Sequence, residues 1–432
     1  MVRLIFIPAL VLLLGCVDQT RDVAEAGSPS GQAAVTGSPS TGTNSATAVQ
    51  SNAQELSPKL KVLTNVGENI ILPAYQLLRD EAASFVSAES VVSEYCTAIG
   101  TDAESEKFTQ TLTRLEALGD SIQAVEVMLV GPLVAGGSGL HNRIHPYSEF
   151  SLASCSLDQA VVSHTDGDYD IEIRASNQKG FPAIEYLLAN TNLEHTCPAQ
   201  VPATQKWNDL AAQAQKTQRC NLALTIASDL SLAAQQAYDA WSPANGNYLA
   251  EFTAEENVGD NFQALSDALF YIEKNTKSRK LTVPLGLDSD CSATTCGELV
   301  ESPYLGSSLR NIVKNLETFL LVFGGGEGFG FDDVIDEAGF PEVSRRFRDQ
   351  VLAAKSSAEA NTATLAEQVQ RLQASNDSRS CVNAFANPTS IEADFPACAL
   401  AGLVKRVTDD LKIDFVTIVE VSIPGNVQSD ND

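Results

Sequence analysis

The chain has 432 residues, of which 55 are acidic and 28 basic, for a net charge of −27. That balance excludes a nucleic-acid-binding role and adsorption to anionic lipid, both of which need clustered cations. No run of five or more like charges occurs, so the acidity is spread along the chain instead of gathered in a tail.

The first residues read as an export signal. Arg3 supplies the positive start, residues 4–14 form an apolar run, and Leu13-Leu14-Gly15-Cys16 closes it. The run is too short to span a bilayer. Leu-x-Gly-Cys is similar to a bacterial lipobox, which implies cleavage after residue 15 and lipidation of Cys16. The acyl chains would hold the protein at a membrane while its folded part stays in water. Val17 follows the cysteine instead of Asp, and the similarity then points to the outer membrane of the cell envelope, with the protein facing the periplasm. Residues 16–57 are expected to be a lipidated flexible linker. They are rich in Ser, Gly, Ala and Thr, repeat Gly-Ser-Pro-Ser twice and hold no aromatic residue. Such a segment cannot bury enough apolar surface to offset its ordering entropy.

Beyond the linker, helical periodicity dominates. Residues 62–96 form a long apolar pattern, with a kink predicted at Pro73. Phe108, Leu112, Leu115, Leu118, Ile122, Val125 and Leu129 make a second stripe, stopped by Gly131-Pro132. Residues 207–241 make another, rich in Ala. In the second half, residues 262–272, 343–372 and 400–418 join a helix whose apolar positions Leu305, Leu309, Ile312, Leu316, Phe319 and Phe323 are spaced in heptad fashion. Strand-like alternation is confined to Tyr-Asp-Ile-Glu-Ile-Arg at 169–174, read as a short hairpin after an acidic turn. The expectation is an all-α protein of two four-helix bundles packed side by side, over 58–245 and 246–427.

Of nine cysteines, eight lie beyond the linker. An even number in an exported chain reads as disulfides, and about 105 pairings are open to eight cysteines. Short loops favour Cys291–Cys296 and Cys381–Cys398, which leaves Cys197–Cys220 and Cys96–Cys155. The absence of any Cys-x-x-Cys pair argues against a zinc site.

Gly180-Phe-Pro-Ala-Ile-Glu-Tyr-Leu-Leu188 carries the most information. It resembles the signature of the imelysin-like proteins, Gly-x-His-x-x-Glu running into an aromatic-Leu-Leu helix. Gly180 and Glu185 are in place, and Pro182 stands where the histidine of that signature falls. Asn69 to Tyr75, Arg219 to Trp241, residues 281–286, Val300-Glu-Ser-Pro-Tyr304 and Ser308 to Asn311 extend the resemblance in the right order over about residues 60–427. It implies the pair of four-helix bundles related by duplication, an association with bacterial iron uptake, and a metallopeptidase label.

A His–Glu pair three residues apart shares a helical face and can share a metal, whereas Pro182 offers no donor atom. Glu185 is then either a ligand-facing acid in a cleft between the bundles, with Tyr75 and the Glu301 segment, or a buried acid bonded to Tyr75 or Arg143. Glu301 and Ser302 are the second candidate pair; Ser302 is also placed to cap the helix that follows. The four histidines lie between His141 and His195. His141-Asn-Arg-Ile-His145 has helical i, i+4 spacing, but its Gly-rich and Pro flanks predict a loop with a solvated or structural pair. Asp166, Asp168 and Asp170 begin like a calcium loop, yet Ile171 and Asn177 occupy positions that need Gly and Glu. The glycines of 324–330 follow a helix, not a strand, and form no phosphate cradle.

The residues together with the resemblance therefore imply a non-catalytic, membrane-anchored binding component linked to bacterial iron uptake, with a ligand cleft between the two bundles, no cofactor or metal of its own, and a partner in the periplasm or outer membrane. The alternative is a metal-dependent peptidase, which needs about three protein ligands and a general base.

Overall fold

Ser57 starts the first helix by accepting the N–H of Leu60 at 3.3 Å, with Pro58 in the first helical position where its missing donor costs nothing. The computed structural model describes residues 56–375, 377–389 and 395–428. The export signal, Cys16 and the linker as far as residue 55 lie outside the described residues.

Helix α1 (Pro58–Val66) runs through a π-helical turn, Gly67–Ile71, into α2 (Leu72–Val86). The widened turn immediately precedes Pro73, which cannot donate to the preceding turn and whose ring crowds the carbonyl there. The single pattern expected over 62–96 is broken after Val86. Ser90 caps a new helix, α3 (Val91–Ala98), by accepting the N–H of Ser93 at 3.1 Å. Helix α4 (Glu104–Glu126) buries Leu115, Leu118, Ile122 and Val125 as its stripe requires. Next come α5 (Ala135–Ile144), α6 (Ser154–Asp166), α7 (Gly180–Ala189) and α8 (Ala212–Trp241). Helices α2, α4, α7 and α8 pack on one another, with Trp241 edge-on to Tyr75, Tyr248 and Phe252.

The chain continues through α9 (Tyr248–Phe252), α10 (Val258–Leu269) and a long π-helical stretch, Ile272–Thr282. Helices α11 (Ser308–Phe323), α12 (Phe331–Glu337), α13 (Pro341–Glu359), α14 (Leu365–Ser375), α15 (Ser378–Ala386) and α16 (Pro396–Asp410) follow. A π turn, Leu411–Phe415, leads into α17 (Val416–Val419). Helices α11, α13 and α16 pack together with the Ile272–Thr282 stretch, around Phe323, Phe347 and Phe415. Helix α4 packs on α11 and α1 on α10, so the two groups share one hydrophobic core. The all-α expectation holds. No strand occurs among the described residues, and no described helix is long and apolar enough to cross a membrane.

Two local expectations are corrected. Residues 169–174 form turns, not a hairpin: Asp170 accepts the N–H of Glu172 at 2.9 Å, and Ile173 points to solvent, so the alternation has no sheet to serve. The long disulfides also differ. Cys291–Cys296 and Cys381–Cys398 form as the short loops suggest, but the other bridges are Cys96–Cys220 and Cys155–Cys197. Packing decides this. Helix α3 lies against α8, bringing Cys96 and Cys220 to a Cα separation of 5.7 Å, while Cys155 at the start of α6 faces the loop carrying Cys197 at 4.6 Å.

Candidate functional site

Gly180 opens α7 with φ +68°, a left-handed conformation that disfavours a side chain. A Cβ there would also stand 2.6 Å from the Ile144 carbonyl oxygen, so glycine lets α7 start directly against the end of α5. Pro182 is the third helical residue, where the N–H has no intrahelical acceptor, so its ring fits without losing a hydrogen bond. One turn later Glu185 turns inward and is buried. Its Oε1 accepts the backbone N–H groups of Tyr304 at 2.9 Å and Leu305 at 3.0 Å. Burial pushes its carboxyl up to about 7, against the pull of Leu305, the Ser302 hydroxyl and Tyr304.

Glu185 thus meets the Glu301–Ser302 segment, and the two candidate stretches form one site. Tyr75 and Arg143 are not its partners. Tyr75 is buried against Trp241 and donates its hydroxyl to the Met128 carbonyl at 2.8 Å. Arg143 projects from α5 toward α8 and pairs with Asp229 at 2.6 Å. Ser302 does not cap a helix either. It has φ +46°, its carbonyl accepts the N–H of Gly306, and α11 begins only at Ser308. Its hydroxyl oxygen instead accepts from Asn311 Nδ2 at 3.3 Å.

A cavity of about 420 Å³ opens beside Glu185, within the usual range for small-ligand sites. Tyr147, Phe150, Pro182, Glu185, Glu301 and Tyr304 are among its walls. Phe150 and Tyr304 stand at its exposed edge. Beneath the cavity, Glu301 is only 1% exposed and joins a buried polar chain. Its Oε1 accepts from Gln123 Nε2 at 2.9 Å and lies 3.2 Å from Lys280 Nζ. Lys280 also donates to Gln123 Oε1 at 2.6 Å and Asn315 Oδ1 at 2.7 Å.

The two histidines expected in a solvated loop lie in this chain and are buried. His141 is on the last turn of α5 and His145 directly follows it. His145 stands between two carboxylates, 3.3 Å from Glu126 and 3.4 Å from Glu301, and His141 Nε2 is 2.8 Å from Glu126 Oε1. Burial pushes Glu126 up, but His141 and His145 outweigh it and hold the carboxyl well below its usual range. Glu126 in turn raises His141 against the effect of burial. His141 also lines a second, smaller cavity of about 220 Å³ with Tyr271 and Glu149. The chain Glu301, His145, Glu126, His141 therefore runs from one cavity to the other.

Sequence reasoning missed Gln123, Glu126, Lys280 and Asn315. Gln123 and Glu126 adjoin the α4 stripe where that helix becomes buried on nearly every side. Lys280 sits in a run of charged and polar residues, 273–280, that reads as solvated but forms a buried π-helical stretch. Periodicity carried no signal for it.

A family profile, imelysin (peptidase M75), matches residues 71–391 of this chain. An imelysin-like protein from Psychrobacter arcticum 273-4 superposes with a TM-score of 0.59 at 14% identity, covering 85% of this chain and 98% of its own. A candidate iron-regulated protein A precursor from Parabacteroides distasonis ATCC 8503 gives 0.54 at 13% identity, covering 83% and 97%. At such identities the likeness concerns the fold alone. No curated protein sequence matches the chain.

The residues at the signature do not fit a catalytic metal. Pro182 has no donor, Glu185 Oε1 is taken by two N–H groups, and the Lys280 ammonium already stands against Glu301. Among the described residues no group of three or more His, Cys, Asp and Glu could hold a metal ion.

Proposed function

The chain belongs to the imelysin family, and on that premise we propose that it is a non-catalytic binding component of the bacterial cell envelope. It is anchored to the outer membrane through a lipid on Cys16, faces the periplasm, and holds a small ligand in the cavity between Glu185 and Glu301. The observation that carries this reading is Pro182 in the wall of that cavity. The place where a metal-binding imidazole would serve catalysis is a hydrocarbon ring, while the cavity and its buried acids remain. A link to iron supply is supported by the iron-regulated description of the Parabacteroides relative. Transfer of the ligand to a periplasmic or outer-membrane partner suits an envelope-tethered protein. The rival, a metal-dependent peptidase, has only the family's label in its favour.

Native mass spectrometry of the full-length protein extracted from envelopes tests the proposal. The expected spectrum carries a small-molecule adduct, no stoichiometric zinc or iron, and no chelator-sensitive peptidase activity. A retained transition metal lost together with such an activity overturns it.

A further inference from the structure

Between the start of α4 and the last turn of α7 lies a third cavity, of about 440 Å³. No residue lines both it and the Glu185 cavity. Its apolar lining is made by Phe108, Leu187, Leu188 and Leu193 with the ring of Tyr95, which stands 5.5 Å from that of Phe108. The walls are tied in place. The Cys96–Cys220 bridge, next in sequence to Tyr95 and Arg219, joins α3 to α8, and Trp207 Nε1 donates to the Leu193 carbonyl at 2.6 Å. A cavity held in this way is preformed, so a ligand need not order it.

The charged groups around it answer one another. Lys216 Nζ stands 2.6 Å from Glu104 Oε1, and the other Glu104 oxygen accepts the N–H of Gly100 at 2.7 Å. Arg219, 1% exposed, donates to the Asn190 and Asn192 carbonyls at 3.4 and 2.8 Å, with its guanidinium over the Tyr186 and Trp207 rings. Asp102 is exposed at the rim, where water and salt screen it. An ionic ligand would have to break an existing pair to gain a partner of its own.

One polar group in the lining is unused. Tyr95 is only 5% exposed, and its hydroxyl makes no hydrogen bond among the described residues. It is not sealed in the core as Thr111 Oγ1 is, so a ligand can reach it. Burial and the Glu104 carboxylate push its pKa up to about 12, so it keeps its proton and offers a donor. A hydroxyl so nearly buried gains by meeting an acceptor.

We propose that this cavity is a separate binding site for a small uncharged molecule, whose hydroxyl or carbonyl oxygen meets the Tyr95 hydroxyl while its apolar body lies on Phe108, Leu187 and Leu188. It is independent of the site between Glu185 and Glu301.

Calorimetric titration of the full-length protein at pH 7 with 2-naphthol, 2-naphthoate and 2-naphthylmethylamine tests it, since the three are neutral, anionic and cationic there. The neutral probe is expected to bind roughly tenfold more tightly than either ion. Tyr95→Phe removes only the hydroxyl and should weaken 2-naphthol about fivefold. Ser105→Trp, at an exposed position in the lining, fills the cavity and should abolish binding. Equal or tighter binding of either ion overturns the uncharged class. Binding of 2-naphthol that survives Ser105→Trp, or is unchanged in Tyr95→Phe, places the probe elsewhere and overturns the site. Failure of all three probes to bind overturns it as well.

Discussion

Glu185 on α7 accepts the backbone N–H of Leu305, a residue 120 positions further along the chain. With the neighbouring bond from Tyr304, this carboxyl ties the signature helix to the approach of α11 and makes one wall of the cavity. A buried acid usually needs a cation; here burial raises the carboxyl, and the backbone amide donors offset that only in part.

That arrangement gives a pH dependence with a definite sign. Folding raises the Glu185 pKa from 4.5 to about 7 through burial, so the folded state holds an extra proton in that interval. Its contribution to stability is full below about pH 4.5 and is lost as the pH rises through about 7. Glu185→Gln keeps the acceptor oxygen without the charge. Relative to wild type, the variant should gain up to roughly 3 kcal/mol between pH 5 and pH 8. Urea unfolding of both proteins at the two pH values measures this, and an unchanged difference between them contradicts it.

Glu126 has the opposite character. Its depressed pKa contributes stability above the unfolded carboxyl range, lost as the pH falls through the folded value. The raised His141 contributes below its unfolded value, lost as the pH rises through the folded one. The pair should therefore be strongest between the unfolded carboxyl range and the unfolded histidine value, and fade as the pH rises through the raised His141 value. Glu126→Gln leaves His141 and His145 without this buried counter-charge and should cost about 3–5 kcal/mol near pH 6. Unfolding curves give the loss. An NMR titration of His141 should show its midpoint falling in the variant; an unmoved midpoint would remove Glu126 as the cause.

Much of this was legible in advance, for identifiable reasons. The α4 and α11 stripes, such as Leu115, Leu118 and Ile122 or Ile312, Leu316 and Phe319, repeat at helical spacing because one face is buried. The Gly180 and Glu301 stretches were recognisable as candidates, and the fold joins them. Partners were not legible: Tyr75 and Arg143 lie nearby in composition but face other helices. The buried Lys280 was also hidden, because a polar run at a π-helical stretch has the composition of a loop. Its satisfaction depends on Gln123, Asn315 and Glu301, from three distant segments.

Gly180 tests the geometry at the signature's start. Gly180→Ala would place a Cβ in a left-handed backbone conformation and 2.6 Å from the Ile144 carbonyl oxygen. Strain of that kind costs on the order of 1–3 kcal/mol, with more from the contact. Thermal unfolding should show a clearly lowered midpoint, whereas Gly139→Ala, which meets nothing within 4 Å, should change it little. Equal effects would contradict the close approach of α7 to α5.

Membrane attachment rests on the lipobox-like sequence. Cys16→Ser should move the protein from the membrane to the soluble envelope fraction and remove an acyl mass from the N-terminal peptide. Continued membrane retention, without any acyl mass on wild-type Cys16, would refute the anchor.

The disulfide between α3 and α8 provides the last test. Cys96 and Cys220 are 124 residues apart, while Cys291 and Cys296 are five apart. If a bridge acts by restricting the unfolded chain, the cost of removing it grows with the logarithm of the closed loop. The loop model gives roughly 5 kcal/mol for Cys96–Cys220 against about 2 kcal/mol for Cys291–Cys296. Helices α3 and α8 also pack on each other through the region of the bridge, so native contacts hold the two sulfur positions together and the constraint acts without pulling on the fold. Paired Cys→Ala substitutions should therefore lower the unfolding midpoint more for Cys96/Cys220 than for Cys291/Cys296. Peptide mapping under non-reducing conditions should recover Cys96 joined to Cys220 and Cys155 to Cys197. Recovery of Cys96 with Cys155 would overturn the packing of α3 on α8 on which this ordering depends.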